Sequence, residues 1–172
     1  MISVLSKHDA FTLDESTISS AYLTEKELMD NAGKAIAQFI VENIQDPFNQ
    51  KFIILVGPGH NGGDAIISHY YLLSYGINSE LILFNNNQKE GWIFDNYTIN
   101  NNSIKFYDKH IELDRDYWYV DGIFGIGLQR NIEGIYKEII DELIHCPNII
   151  SIDIPSGIYV DSGLMAGSNI HA

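Results

Sequence analysis

A single cysteine, Cys146, stands in the 172 residues, so no internal disulfide can form and the chain suits a reducing compartment. Basic residues are scarce too: ten Lys and Arg face twenty-three Asp and Glu, a net charge of −13. A surface of that sign repels phosphate backbones and argues against nucleic acid as a partner. It leaves any anionic ligand to local amides and one or two basic groups. No apolar run reaches membrane-spanning length, and the opening MISVLSKHDA lacks the apolar stretch of a secretory signal. The expectation is a cytoplasmic protein that engages no membrane. The six histidines include no pair at metal-ligand spacing and read as surface or packing residues. What is present, at 45% hydrophobic and 19% charged, is enough to build one α/β domain with a real core.

The most informative segment is GPGHNGGD at 57–64, between the apolar run FIILV and an amphipathic stretch. Five branched or aromatic residues in a row predict a buried strand. Gly57, Gly59, Gly62 and Gly63 let the backbone turn and approach a ligand closely. Asp64 is expected to cap the following helix, whose apolar points are Ile66, Ile67, Tyr70 and Leu73. Strand, glycine turn and helix start form an anion-binding cradle. Three readings compete for it. A P-loop fails because no Gly-Lys-Ser/Thr follows. A dinucleotide site needs an acid at the end of the next strand, but SELILF at 79–84 ends in Asn85, Asn86 and Asn87, with Glu80 at its other end. A turn that merely needs small residues is the third, and His60, Asn61 and Asp64 count against it.

Along the chain, residues 9–22 form a weak helical stretch with Phe11, Ile18 and Tyr22 as scattered apolar points. A stronger helix starts at Thr24, where TEKE supplies a capping box; Leu28, Ala32, Ala35, Ile36, Phe39 and Ile40 form its stripe. Gly76 is a C-cap. The segment between the two Asn triplets contains a short helix, and Asn-rich turns explain the triplets themselves. Further strands are expected at 103–107, 117–121 and 148–154, with a helix at 134–144. Strands alternating with helices predict a three-layer α/β/α, Rossmann-like domain with a mostly parallel sheet.

Ligand groups in such sheets gather beyond the carboxyl ends of strands. Three ends stand out: the glycine turn, the run from Asp121 to Asn131, and Asp153-Ile154-Pro155-Ser156-Gly157. Each joins an acid to glycines, and three on one edge point to a shared site. A non-catalytic nucleotide- or protein-binding module stays open as a second class, and an ordinary NAD-dependent oxidoreductase as a third.

The ordered set of motifs resembles the YjeF N-terminal domain family of NAD(P)H-hydrate epimerases. The resemblance rests on Met29-Asp30-Asn31-Ala32-Gly33, His60-Asn61-Gly62-Gly63-Asp64, Asp121 through Gly125-Ile126-Gly127, Asp153 through Gly157, and Asp161-Ser162-Gly163. It implies interconversion of (R)- and (S)-NADHX and NADPHX, nicotinamides hydrated at ring C6, so that an S-specific dehydratase restores the coenzyme. It implies Asp153 as general acid and base, and substrate contacts from His60, Asn61, Gly62, Gly63, Asp64, Gly125, Ile126, Gly127, Leu128, Gln129, Arg130, Asn131 and Asp153. It also implies a potassium ion (K+) held by Asn61, Asp121 and Ser156. Arg130 is the basic group expected to meet a phosphate. His60 replaces an Asn common in the family, and Ala65 a Gly. Family members continue past Ala172 into further strands, so the chain, residues 1–172, reads as one such domain short at its C-terminus. Marginal stability or a compensating homodimer contact is the expectation.

Overall fold

Residues 6–20, 22–109 and 111–172 are described by a computed structural model. Helix α1 (Lys7–Ser19) opens on a capping box between Ser6 and Asp9 but buries no residue. The apolar points expected over 9–22 do not seat it: Phe11 and Ile18 are exposed, Tyr22 lies exposed beyond the helix, and Ala21 is outside the described residues.

Helix α2 (Glu25–Asn43) starts as its sequence dictates. The Thr24 hydroxyl accepts from the Glu27 amide at 3.2 Å, and the Glu27 carboxylate accepts from the Thr24 amide at 2.7 Å. Its buried face is Gly33, Ala37 and Ile40, whereas Ala35 and Phe39 of the expected stripe stand exposed. The reason is the close crossing with helix α3 (His60–Ser74). A Cβ on Gly33 would lie 2.5 Å from Ile67 Cγ2, and one on Gly63 would lie 2.5 Å from Met29 Sδ. Small residues, not the largest apolar ones, set which side of α2 turns inward.

The strands are β1 (Lys51–Val56), β2 (Asn78–Leu83), β3 (Ile104–Phe106), β4 (Trp118–Gly122) and β5 (Ile149–Ser151). They form one sheet in the order β3-β2-β1-β4-β5, with every strand pair parallel. Phe52, Ile54 and Val56 of β1 pack with Ala37, Ile40, Ala65, Ile66 and Leu72 from α2 and α3. Ile53 and Leu55 pack on the other face with Ile139, Ile140 and Leu143 of helix α5 (Gly134–Leu143). Covering both faces explains why β1 is apolar from Phe52 to Val56 instead of alternating. The short helix expected between the Asn triplets is α4 (Trp92–Asn96).

Two expectations shift. Leu73 is exposed, and Leu72 takes the buried place on α3. Strand β5 is shorter than 148–154: Ile152 still donates to the Asp121 carbonyl at 2.9 Å, but Asp153 turns to φ 62 and ends the pairing. Gly76, at φ 82, closes α3 as expected. Its amide donates to the Leu73 carbonyl at 3.0 Å, while that of Ile77 donates to Leu72 at 2.9 Å. Cys146 is buried and its thiol pKa is pushed up by that burial, as a packing residue requires. The chain direction of the crossovers reverses between β1 and β4, which makes their carboxyl ends the switch point of the sheet.

Candidate active site at the switch point

The backbone after β1 is drawn tightly against the end of β4. The Gly57 amide donates to the Gly122 carbonyl at 2.9 Å, and a Cβ on Gly57 would stand 1.7 Å from the Ile123 carbonyl oxygen. A Cβ on Gly62 would stand 2.1 Å from the Gly57 carbonyl oxygen. With the turn so compressed, α3 begins at His60 with Gly59 as N-cap. Asp64 is therefore no cap. It belongs to the second turn of α3, half-buried, where i, i+3 spacing sets it above Asn61.

Asn61 is buried, and among the described residues neither its Oδ1 nor its Nδ2 meets a hydrogen-bond partner. A buried amide left so is costly unless a ligand satisfies it. Beside it lies Gly125, where a Cβ would fall 3.2 Å from Asn61 Oδ1 and 2.5 Å from Asp153 Oδ2. The missing side chain at 125 is what lets the Asn61 amide and the Asp153 carboxylate converge.

Asp121 is fully buried on β4 and saturated by hydrogen bonds. Its Oδ1 accepts from the Ser156 hydroxyl at 2.6 Å and the Ile123 amide at 3.2 Å. Its Oδ2 accepts from the Ser156 amide at 2.8 Å and the Ser151 hydroxyl at 2.9 Å. Burial pushes its pKa up, and the donors from Ser156, Ile123 and Ser151 pull against that. Ser156 Oγ also accepts from the Phe124 amide at 2.8 Å, which welds the ends of β4 and β5 together.

Asp153 has another character. Its backbone is left-handed, a conformation Asp tolerates better than most non-glycine residues, and its side chain reaches solvent. Nearby protein atoms still thin its hydration and push its pKa up, the Ile126 amide opposes this by donating to the carboxylate, and Asp14 raises it further. Asp64 is pushed up to about 7, first by burial, then by the charges of Asp153 and Asp14.

The remaining expected residues are less concentrated. His60 stands at the mouth, its Nε2 3.2 Å from Glu25 Oε1. Ile126 and Leu128 are half-buried, while Gly127, Gln129, Arg130 and Asn131 line an exposed loop. Asn131 Oδ1 accepts from the Tyr159 hydroxyl at 2.9 Å. Arg130 meets no partner among the described residues that would fix it toward a phosphate.

Three residues that carry the site escape a reading of the sequence: Gln88, Ser151 and Asp14. Gln88 donates to the carbonyls of Val56 at 2.6 Å and Gly57 at 3.1 Å, and accepts from the amides of Phe84 and Asn85 at 2.6 Å and 2.9 Å. It bridges the ends of β1 and β2, where a dinucleotide fold would use an acid to hold ribose. The Asn triplet before it hides the signal. Glu80, the only acid of β2, is occupied at the opposite edge by Lys51 at 2.9 Å and Lys105 at 2.7 Å. A cleft of about 730 Å³ lies away from the site, lined among others by Lys109, Arg115, Glu142 and Cys146. No glycine lines it, nor does Asn61, Asp64, Asp121 or Asp153, so concavity alone does not locate the chemistry. No helix among the described residues is long and apolar enough to cross a membrane.

The bifunctional NAD(P)H-hydrate repair enzyme Nnr of Dictyoglomus turgidum is 38% identical over 153 residues, covering 84% of this chain and 29% of that one. The NAD(P)H-hydrate epimerase of Limosilactobacillus fermentum is 30% identical over 168 residues, covering 92% of this chain and 77% of that one. The chain thus spans under a third of the bifunctional relatives, 29% and 32% of those from Dictyoglomus and Thermofilum pendens. The crystal structure of yeast ynu0 superimposes with a TM-score of 0.75 at 23% identity, over 95% of this chain and 75% of that one, a likeness of fold. The family model of the YjeF-related protein N-terminus matches residues 25–172. With five motifs in order and a match across nearly the whole chain, this protein belongs to the YjeF-related protein N-terminus family.

Proposed function

We propose that the chain epimerises (R)- and (S)-NAD(P)HX, the hydrated forms of NADH and NADPH. The observation that carries this reading is the pairing of a solvent-reachable Asp153 in left-handed backbone with the unpartnered amide of buried Asn61, across the gap left by Gly125. The names of the relatives, hydrate epimerases and a hydrate repair enzyme, support the substrate class. The hydroxyl to be moved sits on the carbon next to the ring nitrogen. Once protonated it leaves as water, because the nitrogen lone pair stabilises the cation, and water returning on the other face inverts the centre. Asp153 is suited to give and take that proton, since its raised pKa brings it nearer neutrality. Net acidity around it favours the cationic ring.

Asn61, Asp121 and Ser156 all offer oxygen, as a hard cation such as potassium requires, and of the three only the buried amide of Asn61 lacks a protein partner among the described residues; Asp121 and Ser156 would have to exchange hydrogen bonds for contacts to the ion. When bound, the ion would supply positive charge beside an anionic group of the ligand. The loop 125–131, with its exposed Arg130, is suited to the phosphates. Fusion of similar chains into longer repair enzymes supports coupling to an S-specific dehydratase. The Gln88 bridge weighs against an ordinary NAD-dependent oxidoreductase. The test is recovery of NADPH from (R)-NADPHX by an S-specific dehydratase, with and without this protein, in potassium and in sodium. Acceleration that is greater in potassium is expected; no acceleration by demonstrably folded protein would contradict the reading.

A further inference from the structure

The unpartnered amide of Asn61 serves a ligand only if the turn that carries it is fixed in place. We infer that Gln88, which lies outside every motif of the glycine turn and the strand ends after β4 and β5, is the positioning residue that fixes it, acting through the carbonyl of Gly57. This deepens the epimerase reading above and rests on it.

Gln88 belongs to a short 3-10 turn, Asn86–Lys89, that follows β2. Asn85 caps this turn. Its side chain accepts from the Gln88 amide at 3.2 Å, and its own amide donates to Gln88 Oε1 at 2.9 Å. The Phe84 amide also donates to Oε1, at 2.6 Å, so the side chain is aimed across the end of β1. There Nε2 donates to the carbonyls of Val56 at 2.6 Å and Gly57 at 3.1 Å. Two donors and two acceptor positions are all that a glutamine amide has, and each is used. Only one orientation of the amide meets two carbonyls and two N–H groups at once, so Gln88 is held as firmly as it holds.

Gly57 is thereby gripped from two sides. Its amide donates to the Gly122 carbonyl at 2.9 Å on the β4 side, and its carbonyl accepts from Gln88 on the β2 side. Gly62 packs on that same carbonyl oxygen, so closely that a Cβ would fall 2.1 Å from it. Gly62 directly follows Asn61, and the direction of the Gly57 carbonyl therefore sets where the first turn of α3 lies. Among the described residues no hydrogen bond holds the Asn61 side chain. Contacts with glycines place it instead: a Cβ on Gly122 would lie 3.2 Å from the Asn61 carbonyl oxygen, and one on Gly125 would lie 3.2 Å from Asn61 Oδ1. A side chain held by packing alone is only as well placed as the turn beneath it. At a reacting site a displacement of about 1 Å costs roughly 10²-fold in rate.

Gln88→Glu separates the two halves of the amide. It keeps the length and the acceptors for Phe84 and Asn85, but its carboxylate loses both donors to the end of β1. The test measures kcat/KM on (R)-NADPHX for Gln88→Glu, Asn61→Ala and the double variant, with a urea melt of each. Gln88→Glu is expected to lose roughly 10²-fold while still folding. The double variant should fall within about threefold of Asn61→Ala, because Gln88 acts through Asn61. Equal fold losses from Gln88→Glu in both backgrounds would overturn the inference, since a residue that only supports the fold acts additively. Gln88→Glu within about threefold of wild type, while Asn61→Ala is impaired, would overturn it too and leave the epimerase reading standing. If Gln88→Glu fails to fold, exchange of the Gln88 side-chain amide protons in wild type decides. Protection of roughly tenfold or more over free glutamine is expected, and none would overturn the bridge. A wild type that does not epimerise would overturn both readings.

Discussion

Asp121, at the end of β4, accepts four hydrogen bonds and sees no solvent, whereas Asp153, just past β5, keeps one backbone donor and stands open with its backbone at φ 62. Both are aspartates at adjacent strand ends, followed by glycine-rich turns. Burial raises both pKa values, but every lone pair of Asp121 already has work in holding Ser151, Ser156 and Ile123 in place. A saturated carboxylate builds a site; an unsaturated one in strained backbone is available to act in it. Asn61 and Asp64 fall on the unsaturated side of this division.

Removing Asp121 should break the comparison most severely. Asp121→Ala strands the Ser156 and Ile123 amides in the interior, and a loss of about 3–5 kcal/mol in urea unfolding is expected. If Asp121→Ala unfolds like wild type, the welding role assigned to it is wrong.

A proton inventory sharpens the contrast at Asp64. Its pKa is about 7 when folded against 3.8 unperturbed, so between those values the folded state keeps a proton that the unfolded chain releases. Stability from this group therefore falls as pH rises through that window, by an amount on the order of 4 kcal/mol. His69, buried between the Ser79 and Ser103 hydroxyls at 2.8 Å and 3.0 Å, is pushed down to about 4 by burial from 6.5. There the unfolded chain binds the extra proton, so its contribution rises with pH over 4 to 6.5. The two slopes oppose each other across that range. Asp64→Asn removes the falling one, so the variant's melting temperature should change with pH more positively than wild type's; the same pH dependence in both would remove Asp64 from the unsaturated group.

Gly125→Ala probes the gap between the two classes. Its Cβ would meet Asp153 Oδ2 at 2.5 Å, so the carboxylate must swing aside. Since the obstacle is the far end of a side chain, stability should change by less than about 1 kcal/mol while epimerisation falls at least tenfold, read from paired melts and rates. Ser151→Ala removes one of four donors to Asp121 and should cost about 1 kcal/mol, with the rate nearly unchanged.

Local chemistry made some of this legible in the sequence. The Thr24 capping box and the run at β1 act through neighbours in the chain, so their elements begin where the sequence says. The three strand ends converge because parallel α/β topology brings them to one edge. What escaped the sequence acts across the fold. Asp64 reads as a cap only until the Gly57–Gly62 contact sets the helix start at His60. The stripe of α2 was shifted by its crossing with α3, and Gln88 reaches carbonyls more than thirty residues away. Asp14 sits on a helix that buries nothing, and only its charge reveals its nearness to the site.

The most direct test is Asp153→Asn, which keeps the shape and a residue type tolerant of left-handed backbone while removing the carboxylate. Its melt should match wild type within about 0.5 kcal/mol, while conversion of (R)-NADPHX falls by roughly 10²–10⁴-fold. A variant that folds and still epimerises at the wild-type rate would contradict the division between the carboxylate that builds and the one that reacts.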